Sequence, residues 1–360
     1  MPETDSAAAK VARISDPEGK TMGGLTDPYL REQLEKRREE LKSAISASPP
    51  AASLAPFLEL LTEVDAAVQK MENGTYGICD VCQEPVEKER LIADPLVRLC
   101  IDHLNSEDRR ALERDIELAS SIQRRLLPHN DVQFRDWFIQ FHYNPAGLVS
   151  GDYCDLILPS TEEGKLVFLL GDVAGKGVGA SLLMTHLHAM FRSLSGVRME
   201  LEELVEMANR VFCESTMAGQ FATLICGRAD GSGELEMANA GHLPALLVTR
   251  SGVQQIGSTG LPLGLFLTSR YPVHHVHLDP GDSLLLFTDG LSETHNSAGY
   301  DYGVERLSRV AGERHGWMPY ELLTACLEDV KIFSAGTRQA DDQTVMVIHR
   351  SDAAGISLND

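Results

Sequence analysis

The chain has 360 residues, 43% of them apolar and 24% charged, which leaves room for two or three domains with ordinary cores. Acids outnumber bases 53 to 32, a formal charge of −21. Such a surface repels nucleic-acid phosphates and anionic lipid and excludes bulk binding to either as the main activity. No apolar run reaches the ~18 residues a spanning helix needs. Residues 1–26 are polar and lack a signal-peptide core, so a cytoplasmic protein with no membrane partner is expected. Cys79, Cys82 and Cys100 cluster, whereas Cys154, Cys213, Cys226 and Cys326 stand among apolar neighbours, as buried small hydrophobes in a reducing compartment would.

In chain order, residues 1–26 read as a disordered tail. Asp27 can cap a helix with Pro28 at its first position, and Leu30, Leu34, Leu41 and Ile45 recur at helical spacing. The stretch SASPPAAS (46–53) reads as a break and a turn. Leu54, Phe57, Leu61, Val64, Val68 and Met71 then alternate by three and four. Two such stripes joined by a short turn predict an antiparallel helical hairpin, stopped at Asn73-Gly74. Residues 77–104 form a compact cysteine segment. A helix over 105–127 follows, with Leu112, Ile116, Ala119, Ile122 and Leu126 near one face, Ser106 as its cap and Pro128 as its stop. From about 135, β-type runs alternate with Gly-rich turns: WFIQFHY, KLVFLLGDV, FATLICGRA, ELEMANA, ALLVT, DSLLLFTDG and TVMVIHR. Amphipathic helices interrupt them near 177–195, 200–216 and 318–335. This pattern predicts a layered α+β domain with substantial antiparallel sheet. The expected division is 27–104, 105–128 and 129–350, with a tail at 351–360.

The cysteine segment has the spacing Cys79-x-x-Cys82, seventeen residues, then Cys100-x-x-His103. Zinc takes four S and N donors in a tetrahedron, and a site with all four positions filled is structural. Redox-active or idle cysteines are the alternative. The stretch VQKMENGTYGICDVCQEPVEKERLIADPLVRLCIDH resembles the DksA/TraR zinc-finger family, with Arg90, Leu91, Ala93 and Pro95 at the matching places. The likeness covers about residues 27–104. His103 stands where that family usually has a cysteine. The resemblance implies one structural Zn2+ on Cys79, Cys82, Cys100 and His103. The best-known members reach into RNA polymerase with a hairpin carrying acids at its tip, and SASPPAAS has none. A dimerisation or sensory module is therefore favoured here, and a polymerase-binding transcription modulator is the alternative.

Four acidic motifs follow: Ser150-Gly151-Asp152 with Asp155, Gly171-Asp172-Val173, Thr288-Asp289-Gly290, and Asp341-Asp342-Gln343-Thr344. Each borders a strand-like run. Carboxylates gathered at strand ends repel one another unless cations sit among them, and hard oxygen donors suit Mg2+ or Mn2+. Taken singly, each is equally an Asp beside a turn. GDVAGKGVGAS is not a nucleotide-binding loop, because Lys176 is followed by Gly177. Its glycines suit a tight turn into a helix over 180–194.

The ordered set SGDYCD, LLGDVAGKGVGASLLM, FATLICG, NAGHLPALL, LPLGL, GDSLLLFTDGLSE and DDQTVMVI resembles the metal-dependent serine/threonine protein phosphatases of the SpoIIE and RsbU branch, over about residues 110–350. The resemblance implies an α-β-β-α sandwich and two Mn2+ or Mg2+ ions. Asp172 would bridge the ions with the Val173 carbonyl as a further ligand, Asp152 would serve one ion, and Asp289 and Asp341 the other. Asp155 and Asp342 are further candidates. Asn239-Ala240-Gly241-His242 is expected to be a structural turn, and Cys154 would lend oxidation sensitivity. ERDIELASSIQRRLLP resembles the dimerising, activity-controlling helix of that branch, although its stripe fits equally a helix packed on its own domain. The implied activity is phosphoserine or phosphothreonine hydrolysis on a protein, with an anti-sigma-factor antagonist or similar phosphoprotein as substrate. A silent scaffold is the alternative.

Overall fold

The computed structural model describes residues 28–351 except 47–50, 105, 160, 162–163 and 218. Asp27, both tails and the centre of the first turn lie outside these residues. The chain divides into two compact units that part between Leu112 and Glu113.

In the first unit, α1 (Pro28–Ser46) and α2 (Ala51–Glu72) form the expected pair. Leu30, Leu34 and Leu41 share one core with Val64, Val68 and Met71. Gly74 takes a left-handed backbone (φ 70°) just past α2, as a helix stop requires. Tyr76, Val86 and Leu91 join the same core, so hairpin and cysteine segment fold as one body. A short helix, α3 (Lys88–Ala93), was not expected.

α4 (Ser106–Leu126) leads into the second unit. There a six-stranded sheet has the order β1 (Val132–Phe134), β2 (Trp137–Asn144), β11 (Gln343–Arg350), β10 (Ser283–Phe287), β7 (Ala245–Thr249) and β8 (Gly252–Ile256). A five-stranded sheet has the order β3 (Asp152–Ile157), β4 (Leu166–Val173), β5 (Ala222–Ala229), β6 (Glu234–Ala240) and β9 (His274–His277). All pairings within the two sheets are antiparallel. The inner faces meet through residues such as Trp137, Phe168, Ile225 and Met346. α5 (Gly177–Leu194) and α6 (Leu201–Ser215) cover the five-stranded sheet. α8 (Val304–Gly312) and α9 (Pro319–Ser334) cover the other, and α7 (Asp289–Ser292) is a single turn after β10. This is the expected α-β-β-α sandwich.

β4 reads as an unbroken apolar run because both its faces are covered. Phe168 and Leu170 point into the sheet interface, and Val167 and Leu169 face the helices. The elements missed by sequence are weakly patterned. β8 (GVQQI) and β9 (HHVH) are edge strands with few apolar residues, and α8 has only nine residues. No helix among the described residues is long and apolar enough to cross a membrane.

Candidate active site

The antiparallel register sets Asp152 of β3 opposite Asp172 of β4, and Asp172 opposite Thr223 of β5. In the other sheet Phe287 pairs with Val345, so Asp289 follows β10 at the end where Asp341 precedes β11. Asp172, Asp289 and Asp341 thereby line one open cavity of about 530 Å3 with Lys176, His242 and Glu293. Two glycines permit this approach. A Cβ on Gly171 would stand 2.4 Å from the Thr223 carbonyl oxygen, and one on Gly290 1.9 Å from that of Asp342. The GD and DG pairs thus combine a carboxylate with a residue that lets neighbouring backbone close in.

Burial, then repulsion from Asp289, Asp341 and Asp342, pushes the Asp172 carboxyl up to about 7. Burial and Asp341 raise Asp289 as well. Three carboxylates from separate segments face one space that a lysine, Lys176, shares with them. Such a donor set fits hard divalent cations.

The other candidates are placed differently. Asp152 is 1% exposed, and its Oδ2 accepts hydrogen bonds from Thr288 Oγ1 (2.9 Å) and Thr344 Oγ1. It ties the five-stranded sheet to the six-stranded one beside Asp289. Val173 ends β4 opposite Ala222, with its side chain buried. Asp342 accepts from the Ala146 N–H (2.7 Å) and the Gly151 N–H (2.9 Å), fixing the loop before β3. Asp155 is corrected. It lies on the opposite face of β3 from Asp152, fully buried, and both its oxygens accept from Arg192 (2.6 and 2.8 Å), with His188 at 3.3 Å. Burial alone would raise its carboxyl, but those partners hold it below the usual carboxylate range. One-residue alternation along a strand sends it to α5, away from the cavity. Cys154 is buried between the sheets, and burial pushes its thiol well above the ordinary range.

The Asn239–His242 turn is structural, and it also builds the site. The Asn239 side chain accepts from the His242 N–H (2.8 Å) and donates to the Leu243 carbonyl (3.1 Å). His242 Nε2 lies 3.1 Å from the Phe287 carbonyl oxygen, and Nδ1 lies 2.8 Å from Thr223 Oγ1. A carbonyl only accepts, so Nε2 carries the proton and Nδ1 accepts from Thr223. Burial lowers the imidazole to about 4, keeping it neutral. His242 thus joins the residue opposite Asp172 to the strand end before Asp289.

The buried face of α4 differs from the expected stripe. Ile122 is 51% exposed, while Ser120 and Gln123 are buried. The Gln123 amide donates to the Ser150 carbonyl (2.7 Å) and accepts from its N–H (3.0 Å). The helix is therefore tied to the segment that opens β3. The sequence reading missed Thr288, Thr344 and Gln123. The two threonines stood inside the quoted motifs as their setting, but Gln123 carried no signal, since a polar residue on a charged helix reads as solvated.

In the first unit the ligand atoms of Cys79, Cys82, Cys100 and His103 all lie within 4.8 Å of one another. Cys100 Sγ is 3.7 Å from Cys82 Sγ and 3.2 Å from His103 Nδ1. A tight turn presents the first pair, with Gln83 N–H donating to the Cys79 carbonyl (3.0 Å). A 3-10 turn, Ile101–His103, presents the second. Tyr76 Oη donates to the Pro95 carbonyl (2.8 Å), and Arg90 to that of Leu99 (2.7 Å), folding back the seventeen intervening residues. Three thiols and an imidazole in this grouping fit zinc.

Residues 74–102 match the prokaryotic dksA/traR C4-type zinc-finger model, ending one residue before His103. Residues 162–351 match the Stage II sporulation protein E (SpoIIE) model, which takes in Asp172, Asp289 and Asp341. Protein IcfG of Synechocystis is 26% identical over 266 residues, 66% of this chain and 42% of that protein. Phosphoserine phosphatase RsbU of Bacillus subtilis is 26% identical over 192 residues, 52% of this chain and 56% of that protein. The chain thus spans about half the length of the curated relatives it matches. Among solved structures, the SiaA-PP2C domain of Pseudomonas aeruginosa aligns with a TM-score of 0.58 at 19% identity, over 68% of this chain and 98% of that one. The RsbU and RsbW domains of a Mycobacterium tuberculosis protein align at 0.52 with 27% identity, over 62% of each chain. With 162–351 of its 360 residues matching, the catalytic carboxylate candidates among them, the chain belongs to the SpoIIE family.

Proposed function

We propose that this protein hydrolyses phosphoserine or phosphothreonine on a protein substrate in a metal-dependent reaction. The observation that carries this reading is the meeting of Asp172, Asp289 and Asp341 at one cavity, where burial and then the neighbouring carboxylates push Asp172 up to about 7. Two Mn2+ or Mg2+ ions held by these carboxylates and the Val173 carbonyl would supply a water of lowered pKa and offset charge on the phosphoryl oxygens. The chain's own contribution is placement. Asp152 acts through Thr288, fixing the strand end from which Asp289 projects. Neutral His242 holds that strand end against Thr223. Asp342 anchors the loop before β3 through two backbone N–H groups.

The likeness to RsbU and RsbP, both phosphoserine phosphatases of Bacillus subtilis, supports an anti-sigma-factor antagonist or similar small phosphoprotein as substrate. The module at 27–104, with one structural zinc on Cys79, Cys82, Cys100 and His103, would be a regulatory or dimerisation input to the domain at 129–350. The test is phosphate release from a phosphoserine peptide and from p-nitrophenyl phosphate in Mn2+, Mg2+ or EDTA. Wild type should turn over with Mn2+ or Mg2+ only, and Asp172→Asn should lose about a thousandfold or more. No release from metal-loaded wild type would sink the reading.

A further inference from the structure

Lys176 lies in the loop that carries the chain from Asp172 into α5. Gly175 and Gly177 flank it, both with left-handed backbone (φ +108° and +73°). A Cβ on either would meet nothing within 4 Å, so the loop is open on both sides of the lysine. The Lys176 side chain is 66% exposed, and its Nζ donates to Asp341 Oδ2 at 2.7 Å and to the Ala340 carbonyl at 3.0 Å. It lines the cavity of Asp172, Asp289, Glu293 and Asp341, and among the described residues lining that cavity it is the one cationic side chain.

A phosphomonoester is an anion, and the surrounding carboxylates repel it. Cations bound to those carboxylates would offset them but leave phosphoryl oxygens to be satisfied. A lysine is suited to that task, being a compact charge with three donors on a flexible stem. Its present acceptor, Asp341, is also one of the proposed cation ligands, so a cation and the ammonium compete for the same oxygens. We propose that Lys176 is the residue that binds the substrate's phosphoryl group, held on Asp341 until a divalent cation takes that carboxylate. This rests on the phosphatase reading above. The competing role is a strap that holds the segment at 339–342 through the Ala340 carbonyl.

The test compares full-length wild type, Lys176→Gln and Lys176→Arg, each with its finger zinc-loaded. In Mn2+-dependent hydrolysis of p-nitrophenyl phosphate, Lys176→Gln should raise KM and the inhibition constant of inorganic phosphate by about tenfold or more. Its kcat should stay within about threefold, and Lys176→Arg should recover most of the loss. Titration followed by the EPR signal of free Mn2+ should show Lys176→Gln binding Mn2+ about three- to tenfold more tightly, because the competing ammonium is gone. A kcat loss at unchanged KM with a lowered melting temperature would assign Lys176 to the strap and overturn the proposal. Unchanged Mn2+ affinity would overturn the exchange on Asp341. An active wild type with an indistinguishable Lys176→Gln would overturn this proposal alone, whereas an inert wild type would overturn the phosphatase reading with it.

Discussion

The two ligand clusters of this chain are built on opposite principles. Cys79, Cys82, Cys100 and His103 come from two short knuckles, and their donor atoms close to within 4.8 Å. Cys79 and Cys100 are buried in the apolar core of the first unit, and Cys82 packs against it. The carboxylates come from segments more than fifty residues apart, carried by two different sheets. They line one open cavity, where burial and mutual repulsion raise Asp172. A closed set of four donors serves folding, and an open set of carboxylates serves chemistry at a cost in stability.

Zinc removal is the largest way to test this contrast. Chelation, or Cys79→Ala, should unfold the first unit outright, since binding energy of a structural zinc is folding energy. Circular dichroism and proteolysis between residues 28 and 104 would show it, and an intact first unit would mean that its apolar core suffices. Asp155 offers a control inside the second unit, because it is an acid that has a partner. Asp155→Ala should cost about 3 kcal/mol by removing the buried acceptor of Arg192 and His188, at the low end for a buried pair because Arg192 is 42% exposed, and more than loss of any cavity carboxylate in the metal-free protein. Urea unfolding would measure it.

His242 gives a pH signature of about 3 kcal/mol. Its folded value of about 4 lies below the ordinary 6.5, so between these values the unfolded chain binds the proton and the folded chain does not. Stability should therefore fall as pH drops from about 6.5 to about 4 and then level off for this group. His242→Gln should flatten that slope in denaturant titrations. The smallest effect has the opposite sign. At pH 8, zinc-loaded but without Mn2+ or Mg2+, Asp172→Asn should stabilise the fold by roughly 1–3 kcal/mol, because it removes an ionised group that burial and its neighbours oppose. A destabilised Asp172→Asn would mean that the cavity is not frustrated without cations.

Much of this was readable from residue order. The helical stripes of α1 and α2 and the long apolar runs of β4, β5 and β11 depend on burial, which leaves a periodic trace. The cysteine spacing is local geometry, because each knuckle spans only four residues. The motif acids Asp172, Asp289 and Asp341 were also legible, since a glycine stands beside two of them where neighbouring backbone must approach. Asp155 shows where such reading ends. It stands three residues from Asp152 in the same motif, yet strand alternation turns it toward Arg192 of α5.

The sequence by itself determined which residue types could bind metal and which segments would be helices and long strands, because composition, spacing and periodicity act along the chain. Tertiary structure decided which acids share a cavity, that Asp152 joins two sheets through Thr288 and Thr344, and that Gln123 ties α4 to Ser150. It also decided that Lys176 rests on Asp341, 165 positions away in sequence. Those contacts depend on register and on how one sheet stacks on the other, and neither leaves a mark on the local order of residues.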